Sequence, residues 1–555
     1  MLAFSRAAVR EIRRRLRALA SELAARPPGG SQVIAADTNL SKVTVLTAHA
    51  FARRFIKKQE VLKGKAAHAL LAKTINRARR DCQTGVLWPD ASSDARQQRA
   101  RQLGELAEPS KLKFVLRMIA VACASKKTLS ETASMAQFAG FAQYVKVLRS
   151  IPERFSVIKK QRKVIDYGDM LVQAVAAIED GASVPFSHIL VDEYQDCSAA
   201  QIHLLLALAN LKGRSIMVFG DAHQAIYGFA GSSYTPLSSV LAGVQELSLP
   251  RSRRLTAPTA ALASAVAQHQ PEDAIQASRE GKLPVLIHDD TLASQTQHIV
   301  QHIQQLIAAG TAPEQIIVVA RMKALLAPVE QLLLSHQVLT RRIGMSRHRR
   351  HALRVLRLVR MVEQHKKAKR AITPDVLRAA LSRLTDVSDS LWKRESLALN
   401  KVSRVPSLEG RYQLCAKAYL RLLGGIRAKP ELRADVNRWG PSCRAYSDAK
   451  AMCAAIRAID KKAVVTGTIH AAKGGEWDHV LIVGATDGLL PLYLSRDDDQ
   501  SLSEECNLLY VAITRARETV RLYHAPANHA RSRQPFESVC RFLDDAAVRS
   551  TLRLA

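Results

Sequence analysis

The sequence lacks a long hydrophobic run. A helix needs roughly 18–20 consecutive apolar residues to cross a bilayer, and the best run of this 555-residue chain, residues 115–124, contains Arg117. The first eight residues do not resemble a signal peptide, because this segment is short and four arginines follow it by residue 15. The eight cysteines form no CxxC pair, which gives no zinc signal and suits reduced thiols. These absences predict a cytoplasmic protein without membrane contact.

Acidic residues are also scarce. The chain has 82 Lys and Arg against 49 Asp and Glu, for a formal net charge of +33. Such a surplus favours a polyanionic partner, and nucleic acid is the first candidate. The alternative is a solubility surplus typical of a basic proteome. Apolar residues at 47% and charged residues at 24% are typical of globular proteins and exclude wholesale disorder.

Hydrophobic spacing divides the first part of the chain. Residues 7–26 carry apolar side chains at steps of three and four, which predicts an amphipathic helix that ends before Pro27. A strand-like run follows at residues 43–46. Residues 60–164 are mostly helical in pattern, with a polar break near residues 88–110. This pattern favours a helical lobe inserted into a larger domain.

Short apolar runs bounded by turn residues predict buried parallel strands. They form two α/β regions, each interrupted by helical sequence, and lie at residues 188–191, 215–219, 315–320 and 479–483. Residues 341–370 hold twelve Lys or Arg and a single acid, Glu363. That segment is either a solvated helix face or a surface that tracks phosphates.

Two adjacent carboxylates end the apolar run at residues 189–196, Ile-Leu-Val-Asp-Glu-Tyr-Gln-Asp. At the carboxyl end of a parallel strand, such acids reach the crevice in which ligands bind. One acid can hold Mg²⁺ through water, and the other can activate an attacking water. The alternative is a pair that only caps a short helix.

A second run, residues 218–229, ends a strand in Gly-Asp and continues through Gln224 to two aromatic residues. The Gln224 amide can sense a phosphate or position a water. Tyr227 and Phe229 can stack on unpaired bases, an interaction worth about 1–3 kcal/mol per base. The alternative is that both aromatics belong to the core of a loop.

These two segments, in this order, resemble motifs II and III of the UvrD/Rep group of superfamily 1 helicases. Other segments match that group in the same order along the chain. Residues 4–8 resemble motif Ia, 47–49 motif Ib, 166–171 the acidic segment that closes the inserted lobe, 249–256 a degraded motif IV, 466–478 motif V and 508–517 motif VI. The resemblance spans residues 2–524.

The resemblance implies a catalytic role for five residues. Asp192 would hold Mg²⁺ through water, and Glu193 would be the general base for water attack on the γ-phosphate. Gln224 would couple the nucleotide state to DNA. Arg254 and Arg515 would be arginine fingers that neutralise charge in the transition state. Because motif IV lacks its usual tyrosine, two neighbouring arginines at positions 251 and 253 remain alternatives for the first finger.

The resemblance also implies binding residues. Gly220, Asp221 and Glu476 would belong to the ATP site, with Glu476 on the nucleotide sugar. The residues that would contact single-stranded DNA are Phe4, Ser5, Arg6, Thr47, His49, Tyr227, Phe229, His470 and Lys473. The alternative for the two histidines is an ordinary loop position with satisfied hydrogen bonds.

The sequence contains no match to the phosphate loop GxxxxGK[ST] or to the adenine-reading Gln motif of that family. Gly64-Lys65 fails because Ala66 follows the lysine and Gln59 stands where the first glycine is needed. Since the family places this loop before motif Ia, we expect the segment to be missing sequence rather than decayed. The chain is then either a product of an upstream start or a truncated form with poor ATP hydrolysis.

We therefore predict an α/β fold with two RecA-like P-loop NTPase lobes, in which helices flank parallel sheets. The first lobe would comprise residues 1–60 and 165–255, with a helical insert at residues 61–164. The second would comprise residues 256–350 and 455–555, with a reduced insert at residues 351–454.

The predicted activity is that of an ATP-dependent 3′–5′ DNA helicase or single-stranded DNA translocase. It would use ATP and Mg²⁺ on single strands and on single-strand/duplex junctions, in repair, recombination or defence. One alternative is a truncated, ATPase-deficient DNA-binding remnant. Another is the helicase component of a complex whose nuclease is a separate chain.

Overall fold

A computed structural model describes most of the chain. The described residues are 1–3, 6–25, 43–56, 59–62, 64–108, 111–112, 114–116, 118–119, 122, 128–134, 141–228, 232, 234–270, 273–343, 346–381, 387–402, 404–423, 433, 436–437, 439–440, 443–446, 448–458, 462–496, 498–527 and 535–555. They form two compact units: residues 1–249 with 494–510, and residues 250–493 with 511–555.

The first unit is built on a four-stranded parallel sheet. Its order is β2-β1-β5-β6, from β1 (Leu2–Ala3), β2 (Leu46–Thr47), β5 (His188–Val191) and β6 (Ser215–Val218). A second, two-stranded parallel ladder joins β3 (Glu60–Val61) to β4 (Val164–Ile165). The sheet core includes Leu2, Ile189 and Val191, which pack with helix residues such as Leu204 and Leu208.

Helices of the first unit fall into a sheet layer and an insert. The layer helices are Arg6–Ala25, Ala48–Ala52, Tyr167–Glu179 and Ala199–Ala209. The insert helices are Gly64–Gln83, Ser93–Leu106, Leu129–Ser134, Val145–Leu148 and Ile151–Gln161, and their buried residues form a core of their own.

The second unit contains a seven-stranded parallel sheet. Its order is β11-β12-β10-β13-β14-β9-β15, from β9 (Val285–His288), β10 (Ile316–Ala320), β11 (Thr340–Arg342), β12 (Val464–Thr468), β13 (Trp477–Val483), β14 (Ala516–His524) and β15 (Arg553–Leu554). A separate parallel pair joins β7 (Arg251–Thr256) to β8 (Gln276–Arg279). All five residues of β10 are buried, as a central parallel strand covered on both faces requires.

Helices of the second unit also divide into two groups. Those beside the sheet are Ala257–Val266, Leu292–Ala308, Leu326–Ser335, Ile469–Ala472 and Ala546–Arg549. Those of the insert are Ser346–Lys367, Pro374–Ala380, Asp389–Val402, Leu408–Leu422 and Ala449–Ala458, which share one hydrophobic core. Helix Asp499–Ile513 begins in the first unit and ends in the second.

This architecture confirms the predicted α/β class with parallel sheets flanked by helices. Two local predictions were wrong. The strand expected at residues 43–46 begins only at Leu46, because its partner β1 is two residues long and pairs Leu2 with Leu46 and Ala3 with Thr47. The polar break near residues 88–110 contains helix Ser93–Leu106, which Ser92 caps and which buries Ala100, Leu103 and Leu106.

The remaining strand and helix predictions agree with the structure to within a few residues. The amphipathic helix predicted over residues 7–26 is Arg6–Ala25, and its Val9 is buried against Val45. Within the described residues, no helix is both long enough and apolar enough to traverse a bilayer.

Candidate nucleotide and DNA site

The carboxyl ends of the first sheet bring the two acidic segments to one edge. The Asp192 backbone N–H donates to Leu2 O over 3.0 Å, and the Phe219 N–H donates to Val191 O over 2.8 Å. The ladder therefore places Asp192 and Gly220 just beyond the ends of neighbouring strands. This is the edge at which parallel α/β sheets bind ligands.

Glu193 has a left-handed backbone conformation, with φ of 54°. A residue with a side chain rarely adopts this conformation, and such local strain is concentrated at functional sites. Its N–H donates to Asp192 Oδ1 over 3.1 Å. Burial raises the pKa of the half-buried Asp192 carboxyl, and the Glu193 charge raises it further. Two crowded carboxylates of this kind fit a bound cation.

Gln195 links the general-base candidate to the second acidic segment. Its Nε2 donates to Glu193 Oε2 over 2.7 Å, and its Oε1 accepts from the Asp221 N–H over 3.2 Å. The side chain is only 2% exposed. Gly220 permits this approach, since a Cβ at that position would lie 2.8 Å from Gln195 Oε1.

Asp221 is the acceptor of several donors in the first unit. Gln224 Nε2 donates to Asp221 Oδ2 over 2.8 Å, and the Tyr510 hydroxyl donates to the same oxygen over 3.1 Å. The His223 N–H donates to Oδ1 over 3.0 Å. Asp221 therefore orients Gln224, the residue expected to couple nucleotide to DNA.

The DNA candidates of the first unit lie on short elements beside the sheet. The Thr47 hydroxyl caps helix Ala48–Ala52 by accepting from the Ala50 N–H over 3.2 Å. The His49 ring meets the Tyr167 ring edge-on, with centroids 5.1 Å apart. Burial lowers the pKa of His49. The capping role of Thr47 is structural, whatever else it contacts.

Of the aromatic pair predicted to stack on bases, Tyr227 lies within the described residues. Tyr227 is partly buried, and burial together with the nearby Asp196 and Glu193 charges raises its pKa to about 12. Phe229, Phe4 and Ser5 lie outside the described residues, and Arg6 is described only as the first residue of its helix.

In the second unit, Arg254 and Glu476 form an ion pair. Arg254 Nε lies 2.9 Å from Glu476 Oε2, and Arg254 Nη1 donates to Thr514 O over 3.2 Å. Residue 253 is exposed on the neighbouring position of β7. These contacts favour Arg254 over its two neighbours as the motif IV arginine.

Arg515 is buried, with 2% exposure. Its guanidinium donates to Val511 O over 3.0 Å, to Thr514 Oγ1 over 3.0 Å and to Gly475 O over 3.4 Å. Arg515 is therefore held against the Gly475–Glu476 backbone, while the Arg254 side chain remains partly exposed.

The motif V segment forms a capped turn of helix. The Thr468 hydroxyl accepts from the Ala471 N–H over 3.3 Å and begins helix Ile469–Ala472, which carries His470. Lys473 ends the helix, and Gly474 follows with φ of 80°. Only glycine adopts such a conformation freely, which explains the glycine at this turn.

Two family models match this sequence. The UvrD/REP helicase N-terminal domain matches residues 1–242, and the UvrD-like helicase C-terminal domain matches residues 454–525. The chain belongs to the UvrD-like helicase family. These two segments contain both halves of the site described above, including Glu193 in the first and Arg515 in the second.

Curated relatives are similar to this UvrD-like chain at low identity. It is 27% identical over 407 residues to ATP-dependent DNA helicase UvrD2 of Mycobacterium tuberculosis, covering 67% of this chain and 52% of that protein. It is 22% identical over 448 residues to DNA helicase II of Haemophilus influenzae, covering 68% and 62%. A segment of 88 residues is 35% identical to an ATP-dependent helicase/nuclease of Leuconostoc mesenteroides, covering 15% and 7%. The chain thus spans about half of the length of UvrD2.

Several residues of this UvrD-like site were not assigned from the sequence. Gln195 and Tyr510 lie within quoted motifs, but their contacts with Glu193 and Asp221 depend on packing. Arg517 Nε lies 2.9 Å from Asp478 Oδ1, and its Nη1 lies 3.7 Å from Glu476 Oε1. The signal that could have indicated these residues is their position beside motif residues.

Metal binding was also predicted at this site. Among the described residues, no group of three or more His, Cys, Asp and Glu side chains is placed to hold a metal ion. Mg²⁺ in phosphate-transfer sites usually needs only one or two carboxylates, because substrate phosphates and waters complete its shell. Asp192, with its raised pKa beside Glu193, fits that arrangement.

Proposed function

We propose that this chain supplies the motor of an ATP-dependent 3′–5′ DNA helicase, which translocates on single-stranded DNA. The site residues at the edge of the first sheet and the ion-paired arginine of the second unit support this function. The net charge of +33 supports a nucleic-acid partner.

The observation that carries the proposal is the connection from Glu193 through Gln195 to Asp221 and Gln224. A general base must be held in one orientation to accept a proton from water, and the Gln195 amide holds Glu193 in this way. Gln224 is held in turn by Asp221. A phosphate-dependent movement of Gln224 would therefore be felt at both acidic segments.

Mg²⁺ bound with ATP would offset the charge that develops on the phosphates, and Asp192 is the residue that would hold it. Glu193 would accept the proton of the attacking water. Arg254 would stabilise transition-state charge after it leaves Glu476, and Arg515 would do so from the Gly475 backbone. Glu476, relieved of Arg254, would then contact the nucleotide sugar.

On the DNA side, we propose contacts from Thr47, His49, His470 and Lys473, with base stacking on Tyr227. Phe4, Ser5, Arg6 and Phe229 belong to the same set by resemblance. Single-stranded DNA and its junctions with duplex are the proposed substrates. The helicase/nuclease name of the Leuconostoc relative supports, as a variant of this function, a nuclease partner on a separate chain. The proposed settings are DNA repair, recombination or defence.

A second candidate function is DNA binding without ATP turnover. The basic composition favours it, because the charge surplus acts on DNA whether or not ATP is hydrolysed. It predicts salt-sensitive binding that is indifferent to substitution of Glu193.

The test is ATP hydrolysis by the purified chain with and without single-stranded DNA, beside Glu193→Gln. We expect DNA-stimulated turnover that this substitution abolishes, and strand displacement from substrates with a 3′ overhang but not a 5′ overhang. DNA binding with no turnover would favour the second candidate. Turnover that survives Glu193→Gln would refute the assigned general base.

A further inference from the structure

A groove of about 410 Å³ lies beside the motif Ib segment in the first unit. Helix Arg6–Ala25 forms one wall, and helices Ala48–Ala52 and Tyr167–Glu179 contribute to the others. Thr47 and His49 line it, and so do residues to which the sequence assigned no function. A volume of this size suits a ligand of nucleotide dimensions.

Three arginines line this groove: Arg10, Arg13 and Arg53. Arg10 and Arg13 are three residues apart on one helix, so both face the same side. Arg13 Nη2 donates to Val45 O over 2.7 Å, and Arg53 Nη2 donates to Gln59 O over 2.9 Å. Within the described part of the chain, none of the three forms an ion pair, and Arg10 forms no hydrogen bond either.

The neighbouring acids are already paired with other cations. Glu11 accepts from Arg14 and Arg15, and these bonds lower the pKa of Glu11 to about 2. Asp166 and Asp169 both pair with the buried Lys159. No acidic side chain lines the groove among the described residues. The three guanidinium charges are therefore not offset locally, and their mutual repulsion favours a bound anion.

The groove also has apolar walls, formed by Val9, Val45 and Met170. Cationic and apolar surfaces side by side suit a nucleic-acid strand, whose phosphates need charge and whose sugars and bases need contact area. Because burial lowers the pKa of His49, that ring is neutral at pH 7 and the positive charge comes from the arginines. Inorganic phosphate alone would leave the apolar walls unused.

We propose that this groove binds the sugar–phosphate backbone of single-stranded DNA, and that Arg10 and Arg53 each contact a phosphate. The proposal rests on the DNA-binding function proposed above and extends its surface beyond Thr47 and His49 to helix Arg6–Ala25. Arg13, whose guanidinium is partly used by Val45 O, holds the helix and adds charge. The ligand is a strand rather than a duplex, because the cavity accepts one nucleotide unit.

The experiment measures binding of a fluorescent oligothymidine of about 15 nucleotides across a series of salt concentrations. The variants are Arg10→Ala and Arg53→Ala, and the matched control is Arg15→Ala, on the same helix but neutralised by Glu11. Each groove variant is expected to weaken binding about 3- to 10-fold. Each should also reduce the slope of log K against log salt by about 0.7, the value for one phosphate contact on a single strand. Arg15→Ala should match the wild type.

Arg10→Lys serves as a second variant, because it keeps the charge and should keep the slope. Arg10→Ala binding indistinguishable from that of Arg15→Ala would overturn the proposal, provided that the wild-type chain binds DNA. A wild-type chain that does not bind DNA would instead remove the proposed function on which it rests.

Two further arms distinguish other ligands. An equal loss of duplex binding in Arg10→Ala would overturn the assignment to a single strand. Competition by inorganic phosphate, beyond that of a chloride solution of the same ionic strength, would identify an isolated phosphate site and also overturn it.

Discussion

Arg254 and Glu476, which are 222 residues apart in the chain, form an ion pair with Nε 2.9 Å from Oε2. The same guanidinium reaches the carbonyl of Thr514, the residue before Arg515. Three segments that the sequence treats as separate motifs therefore meet at one side chain. The acid expected to contact the nucleotide sugar instead holds an arginine expected to contact the phosphates.

Substitution of Arg254 by Ala should lower ATP turnover about 10³-fold or more, the usual cost of losing an arginine finger. The free energy of unfolding should change by less than about 1 kcal/mol, because the pair is 38% and 43% exposed and well screened. Turnover and urea denaturation check the two parts. Arg253→Ala, at the exposed neighbouring position, is the control. Equal losses of turnover in both variants would show that the arginine is misassigned.

Substitution of Gln195 by Ala should lower kcat at least about 10-fold while KM for ATP stays within about twofold, because positioning of the general base is lost rather than substrate binding. It should also destabilise the first unit by about 1–2 kcal/mol, since buried partners are left unsatisfied. Steady-state kinetics and thermal melts provide the measurement. Gln201→Ala, which removes a helix capping box elsewhere, should cost stability without lowering kcat.

Substitution of Asp192 by Asn should stabilise the nucleotide-free protein at about neutral pH by up to about 1 kcal/mol. Burial and Glu193 raise the folded pKa of Asp192, so ionisation costs stability as pH rises through that value. Below the unfolded pKa both states are protonated and the difference disappears. Melting temperatures across acidic and neutral pH test this. The exposed Asp90→Asn should show no such trend, and a destabilised D192N at neutral pH would contradict the prediction.

Glu330 is buried in the second unit, with 1% exposure, where it pairs with Arg342 and accepts from the Thr466 hydroxyl over 2.5 Å. Glu330→Gln should cost about 3 kcal/mol, because it leaves the mostly buried Arg342 without its counterion. Urea denaturation measures the change, with the exposed Glu280→Gln as control. A double variant, Glu330→Leu with Arg342→Met, should recover part of the loss. Failure of that recovery would mean that the loss comes from packing.

Much of the local structure could be predicted because it depends on neighbours in sequence. Apolar runs followed by acids gave β5 and the position of Asp192, and the spacing of Val9 and its neighbours gave the first helix. The helix over residues 93–106 could not be predicted in this way. It is polar apart from one narrow buried stripe, and its packing partners come from other helices of the insert.

The sequence alone was sufficient for the α/β class, the order of the motifs and the family, since periodicity and short motifs are local properties of the chain. Three relationships emerged only from the folded chain: the Arg254–Glu476 pair, the Gln195 bridge to Glu193, and the groove that brings Arg10 beside Arg53. Each joins side chains from different elements. Their distances depend on how strands and helices pack, and local spacing along the chain carries no information about that packing.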